Sequence, residues 1–140
     1  MPASFVDTNI LLYAISTDPA EALKKRVARD ILAGSDWGLS VQVLQEFFVN
    51  ATRGSAPAMT HEDAESAIRQ LALRPMVEND VALMLEALRV KARYRIAYWD
   101  AAIVAAATRL GATVLYSEDL GDGQDYGGVK AVNPFGARLA

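Results

Sequence analysis

Residues 4–13 read Ser4-Phe5-Val6-Asp7-Thr8-Asn9-Ile10-Leu11-Leu12-Tyr13. Phe5 and Val6 suit a short buried strand, and Ile10 to Tyr13 an apolar helix, with Asp7, Thr8 and Asn9 at the handover. In an open parallel sheet the carboxyl ends of the strands form the edge where ligands bind. Asp7 therefore stands where chemistry could be done. Asp is also a favoured helix N-cap, and capping alone would account for it. The choice between the two depends on whether other carboxylates reach the same edge.

Working outward, Asp18, Pro19 and Glu21 carry a helix-start signature, and Leu23, Val27 and Ile31 recur every four residues up to a stop at Gly34. Residues 37–40 suit a short strand whose Ser40 caps a helix over 41–53. Val43, Leu44, Phe47, Phe48 and Ala51 give that helix an apolar face. Gln42, Glu46 and Asn50, spaced by four, give it a polar stripe. Thr60 opens another helix. Met76-Val77 suits a brief extended piece, and Asn79 or Asp80 caps a helix through Val81, Met84, Leu85 and Leu88. Asp100 then begins an alanine-rich helix ending at Gly111, and residues 113–116 read as a buried strand leading into Ser117-Glu118-Asp119. A glycine-rich loop and a last strand at 130–132 follow. Alternating strands and helices predict an α/β fold, with a mostly parallel central sheet flanked by helices on both faces.

Composition narrows the chemistry. A chain of 140 residues suits one domain, and 52% hydrophobic with 22% charged residues is a globular profile. No apolar run reaches the ~20 residues of a membrane span, and no signal peptide is evident, so the cytoplasm is the expected location and no membrane partner is expected. With no cysteine there is neither a disulfide framework nor a thiolate metal site. The single histidine, His61, falls in the first turn of a helix with no nucleophile near it in sequence. A His-dependent ribonuclease mechanism through a cyclic phosphate is therefore not expected. The net charge of −3 argues against a general nucleic-acid binder. Any polyanion would have to be held by a bound cation or by local basic segments. The densest such segment carries Arg89, Lys91, Arg93 and Arg95, and Arg53 ends an earlier helix. A solvated helix C-terminus explains these charges; RNA contact is the sharper reading.

Asp7 and Asp119 both follow strands, Asp100 sits in a first helical turn, and Glu46 lies on a polar stripe. Their order allows all four to share one sheet edge. Two carboxylates about 4 Å apart repel by roughly 4 kcal/mol at an effective dielectric near 20, so such a cluster takes up protons or a cation. All-oxygen ligands select hard ions such as Mg²⁺ or Mn²⁺. A bound ion of that kind activates water and neutralises charge on a phosphoryl group, which points to phosphodiester hydrolysis leaving 5′-phosphate and 3′-hydroxyl ends.

Phe5-Val6-Asp7-Thr8-Asn9, Val43-Leu44-Gln45-Glu46-Phe47, Trp99-Asp100-Ala101 and Tyr116-Ser117-Glu118-Asp119-Leu120 resemble the motifs of PIN-domain ribonucleases, and especially of VapC toxins. The resemblance covers essentially the whole chain, in order. It implies a single PIN-like domain over residues 1–140 and a Mg²⁺- or Mn²⁺-dependent endoribonuclease. It further implies Asp7, Glu46, Asp100 and Asp119 as catalytic metal-site acids, with Thr8 and Asn9 in support and Asp122 assisting. It also implies the toxin of a type II toxin–antitoxin pair, acting on RNA, forming a homodimer and blocked by a cognate antitoxin. Other readings fit less well. A haloacid-dehalogenase-type phosphatase wants a second Asp where Asn9 stands. A receiver-like regulatory domain wants an acidic pair in its first motif. A nucleotide-binding module wants a glycine-rich loop after its first strand. A PIN-like module that binds RNA without cutting it is the remaining alternative.

Overall fold

The handover at Asp7 is built as the sequence predicts. Strand β1 (Ser4–Val6) ends at Asp7, whose carboxylate accepts the Thr8 N–H and caps helix α1 (Thr8–Ala14). The computed structural model describes residues 2–136; of the domain expected over 1–140, residue 1 and residues 137–140 lie outside the described residues. Besides β1, the described residues contain strands β2 (Trp37–Ser40), β3 (Met76–Val77), β4 (Val114–Tyr116) and β5 (Lys130–Val132). Helices α2 (Ala22–Ala33), α3 (Val41–Ala51), α4 (His61–Leu71), α5 (Val81–Tyr94) and α6 (Tyr98–Leu110) complete them, with a short 3-10 turn at Pro19–Glu21. No described helix is long and apolar enough to cross a membrane.

The sheet order is β3-β2-β1-β4-β5, and every pairing is parallel. From β1 the chain builds outward through β2 to β3, then returns to place β4 on the other side of β1. The strand order thus reverses between β1 and β4, the position where open α/β sheets leave a crevice for ligands. Right-handed crossovers put α1–α4 on one face and α5–α6 on the other. The packing agrees, since α1 meets α2 and α3 while α6 lies across β1, β2, β3 and β4. Phe5, Leu39 and Leu115 from three adjacent strands are fully buried together with Val43, Ile10 and Val104 from the helices.

Alanines decide how closely α6 sits. Ala101, Ala102, Ala105, Ala106 and Ala107 are all buried, and short side chains let a helix buried nearly all round approach the sheet. Gly38 belongs to the same close fit: a Cβ there would stand 2.7 Å from the Pro75 carbonyl and 2.9 Å from a Leu110 methyl. At its end α6 turns out through Gly111 at φ 86°, a left-handed C-terminus that glycine adopts at least cost.

One helix turns a different face inward from the one its large apolar residues suggest. In α5 the buried residues are Leu83 and Ala87, whereas Val81, Met84, Leu85 and Leu88 are exposed. In α2 the predicted face holds: Val27 and Ile31 pack against the core beside the buried Ala28, and only Leu23, at the start of the stripe, is exposed. Helix α3 stops at Ala51, and Thr52 turns its hydroxyl back to the Phe48 carbonyl.

Candidate active site

The reversal between β1 and β4 brings residues from opposite ends of the chain together. Asp7 is 5% exposed, and both its oxygens are held: Thr8 N–H donates to Oδ1 at 2.7 Å and the fully buried Ser117 hydroxyl donates to Oδ2 at 2.7 Å. The Ser117 oxygen accepts the Asp119 N–H at 3.1 Å. Asn9 adds a second tie, donating from Nδ2 to Asp119 Oδ2 at 3.2 Å and accepting the Glu118 N–H at 3.3 Å. Asp7 therefore caps a helix and stands in the acidic edge at once.

Glu46 faces this pair from α3. The Thr8 hydroxyl donates to its Oε2 at 2.7 Å and Gln42 Nε2 to its Oε1 at 2.9 Å. Asn50 Nδ2 donates to the Glu46 carbonyl at 2.7 Å, so the stripe read at spacing four is a working network. Thr8 thus supports Asp7 through its backbone and Glu46 through its side chain. Asp100 enters from the first turn of α6, and its carboxylate has no hydrogen-bond donor among the described residues.

Electrostatics tie the four acids into one site. Burial pushes the Asp7 carboxyl up to about 6, against the lowering pull of Ser117 and Thr8, and Asp119 and Glu46 repel its charge further. Burial also raises Asp100, followed by repulsion from Asp119 and Glu46. Among the described residues no Lys, Arg or His forms an ion pair with any of the four.

Is this a fit for a metal ion? As positioned, no three His, Asp or Glu side chains among the described residues are gathered closely enough to hold one by themselves. The donor set nonetheless suits Mg²⁺ or Mn²⁺. It is all oxygen, with no cationic partner among the described residues, and Mg²⁺ keeps several waters while using only one or two carboxylates directly.

Beside the acids lies a clamp that sequence reasoning missed. Lys24 on α2 bonds Glu118 Oε2 at 2.6 Å, and the Tyr13 hydroxyl donates to Glu118 Oε1 at 2.5 Å. Burial opposes ionisation of Glu118, yet Lys24 and Tyr13 hold its carboxyl below the ordinary range. The Lys24 ammonium, held by Glu118 and then Tyr13, is raised, and it lies over the Tyr13 ring at 4.7 Å. The clamp fixes the turn that carries Asp119. Ser117 and Gln42 were also unassigned from sequence. Gln42 had a signal, its spacing of four from Glu46; Ser117 and Glu118 act across the fold and had none.

The remaining candidates lie elsewhere. Asp122 is exposed and its Oδ1 accepts the Asn133 N–H at 2.8 Å, bracing the glycine-rich loop. Arg53, Arg89, Lys91, Arg93 and Arg95 are exposed. Arg89 pairs with Glu86 at 2.5 Å, and Arg95 is the left-handed end of α5 at φ 55°. His61 sits 3.7 Å from Glu65 and edge-on to Phe48, apart from the acids.

Comparison with known proteins follows the same outline. The PIN domain family profile matches residues 4–121. No curated protein matches the chain. Among solved structures, a toxin–antitoxin complex from Klebsiella pneumoniae is similar at TM-score 0.67 and 19% identity, over 94% of this chain and 97% of that one. VapC20 of Mycobacterium tuberculosis, described as a sarcin-ricin loop cleaving toxin, is similar at TM-score 0.65 and 21% identity, over 83% and 89%. VapBC from Salmonella typhimurium, solved bound to DNA, is similar at TM-score 0.65 and 17% identity, over 96% and 99%. At these identities the likeness is one of fold.

Proposed function

Because the chain belongs to the PIN domain family, we propose that it is a Mg²⁺- or Mn²⁺-dependent endoribonuclease and the toxin of a toxin–antitoxin pair. The observation that carries this reading is the convergence of Asp7, Glu46, Asp100 and Asp119, from four separate chain segments, at the β1–β4 reversal, with no cationic side chain among the described residues paired to them. Burial, and then the charges of Asp119 and Glu46, raise the Asp7 and Asp100 carboxyls, and a site of this kind favours a cation brought by solvent. When bound there, a divalent ion supplies Lewis acidity to the scissile phosphate and makes a water nucleophilic near neutral pH.

The chain's own part is placement. Thr8 and Ser117 fix both oxygens of Asp7, and Thr8 and Gln42 fix both of Glu46, so these carboxylates reorganise little when charge develops near them. Asn9 and Ser117 set Asp119 beside them. Asp100, with no donor of its own among the described residues, is the acid best able to orient the attacking water and accept its proton. Asp122 braces the loop behind Asp119. An antitoxin that covers this edge completes the reading, supported by the toxin–antitoxin complex of like fold, and we propose a homodimer with it.

The test is cleavage of total cellular RNA with Mn²⁺ or Mg²⁺, followed by sequencing and end analysis. Cutting that stops in EDTA and leaves 5′-phosphate with 3′-hydroxyl ends is expected. Cleavage that persists in EDTA, or products with 2′,3′-cyclic phosphate, overturns the mechanism.

A further inference from the structure

Trp99, the residue before Asp100, is 65% exposed. An indole left in water carries a large apolar area that stabilises nothing in the free protein, yet this one is firmly placed. It packs edge-to-face on Tyr98 at 5.0 Å and 77°. Its carbonyl accepts from Gln42 Nε2 at 3.4 Å, the same amide that holds Glu46. The backbone at Trp99 is thus wired to the carboxylate site, and the ring stands beside it.

Two concavities meet at this ring. One, about 240 Å³, is lined by Gln42, Gln45, Glu46 and Trp99, and so runs from the acid site to the indole. The other, about 420 Å³, continues from Trp99, Gln42 and Gln45 to Asn79, Leu83 and Met84. Its walls are apolar or amide. The one carboxylate on it, Asp80, is engaged by Arg109 at 2.8 Å and by the Leu83 N–H at 2.7 Å. On the rim Asn79 Nδ2 reaches Gln45 Oε1 at only 3.5 Å. This leaves Gln45 Nε2 as a donor and Asn79 Oδ1 as an acceptor with no partner among the described residues. An exposed aromatic face, a neutral apolar slot and a donor–acceptor pair on its rim match a nucleobase, the uncharged part of a nucleotide, rather than a phosphate. Unpaired bases are recognised by stacking on aromatic side chains and by hydrogen bonds to their edges.

We propose that Trp99, with Gln45 and Asn79, forms a base-binding subsite that receives an unpaired nucleobase next to the scissile phosphate. The proposal rests on the ribonuclease reading above and adds the feature that would make cleavage selective for single-stranded positions. A phosphate at the carboxylates leaves its flanking base within reach of the next concavity along, and that concavity is the one bounded by Trp99.

The test uses the full chain and short single-stranded oligoribonucleotides, each paired with a counterpart whose bases have been removed. Trp37 is buried at 5% exposure, so quenching of exposed indole fluorescence reports Trp99. Base-containing RNA is expected to quench that emission and to bind about tenfold or more tighter than abasic RNA, in line with base–aromatic stacking. Trp99→Ala is expected to erase the preference by raising KM with kcat largely kept. Trp99→Phe should retain most of it. Gln45→Ala with Asn79→Ala should blunt discrimination among the four bases. A protein that cleaves RNA but whose Trp99→Ala variant keeps the base preference overturns the subsite alone. So does a Trp99→Ala variant that lowers kcat on both RNAs equally, which makes Trp99 a positioning residue for Asp100. A variant that turns a dimer into a monomer in sedimentation with RNA binding unchanged overturns it in favour of an interface between copies, which exposed Val81 and Met84 would join. Absence of RNA cleavage by the unaltered protein removes the ribonuclease reading and the subsite with it.

Discussion

On the β1–β4 side of the acid site, Asp7 is buried with both oxygens bonded, and Asp119 is tethered by Ser117 and Asn9. On the α3–α6 side, Glu46 is half-buried, Asp100 has no donor among the described residues, and Trp99 opens to solvent. One wall stores position; the other leaves room. The difference teaches that a charge cluster can be fixed on its inner side by neutral hydroxyl and amide donors while its outer side stays open to solvent. The inner wall's cost is visible at Asp7, whose carboxyl is held well above its ordinary value.

The sharpest way to break the contrast is to change the acids one at a time. Asp7→Asn, Glu46→Gln, Asp100→Asn and Asp119→Asn should each lower RNA cleavage by about 100-fold or more, read as initial rates with saturating Mn²⁺. His61→Ala should leave the rate unaltered. If the two walls contribute unequally to folding, the same variants separate on heating. Asp7→Asn should raise the melting temperature of the metal-free protein at neutral pH, and Asp100→Asn should do so by less.

The size of that gain follows from Asp7. Below its ordinary pKa of 3.8 the carboxyl is protonated in folded and unfolded chains alike. Between there and about 6 only the folded chain keeps the proton, so stability falls as pH rises through this window and stays low above it. The loss is on the order of 3 kcal/mol at 1.36 kcal/mol per pKa unit. Urea titrations of metal-free protein across pH 4–7 should show it, and Asp7→Asn should flatten it. Mn²⁺ should recover a comparable amount, about 2.7 kcal/mol at one hundred times its dissociation constant. Asp7→Asn with Asp119→Asn should show much less of that recovery.

Smaller effects sharpen the inner wall. Ser117→Ala removes the donor to Asp7 and the acceptor for the Asp119 N–H, and should cost about 1–3 kcal/mol by denaturant melting. It should also move the Asp7 titration higher still, since Ser117 is its main lowering influence. The least effect is expected at the basic segment. Neutralising Arg89, Lys91, Arg93 and Arg95 together should weaken RNA binding modestly. It should also make the salt dependence of binding shallower, by a slope of about one for each phosphate no longer neutralised. An unchanged slope assigns these side chains to solvation.

Much of the acidic edge was legible because its members sit at punctuation points. Asp7 and Asp119 follow short β-branched or apolar runs, Asp100 opens a helix, and Glu46 lies four residues from both Gln42 and Asn50. The parallel sheet followed from the alternation of elements. What could not be read was which face a helix buries when its core partners are alanines. Val81, Met84, Leu85 and Leu88 form a regular apolar stripe, and yet the residues α5 buries are Leu83 and Ala87. Ser117 and Lys24 escaped for another reason. Each is ordinary in its local sequence and gains meaning only from a partner about a hundred positions away, which periodicity does not register.

The pairing of β1 with β4 also sets an order of events. Asp7 is made with β1, and its partner Ser117 only 110 positions later. At about 5–20 residues per second, a growing chain spends several seconds with β1, β2 and β3 made and the central neighbour of β1 still missing. During that interval Asp7 has no Ser117 and Asp119 does not yet exist, so the acids cannot be assembled whatever the rest of the sheet has done. A protein that cuts RNA would then stay unarmed until β4 has been made, and any chain interrupted before β4 would be released without a site.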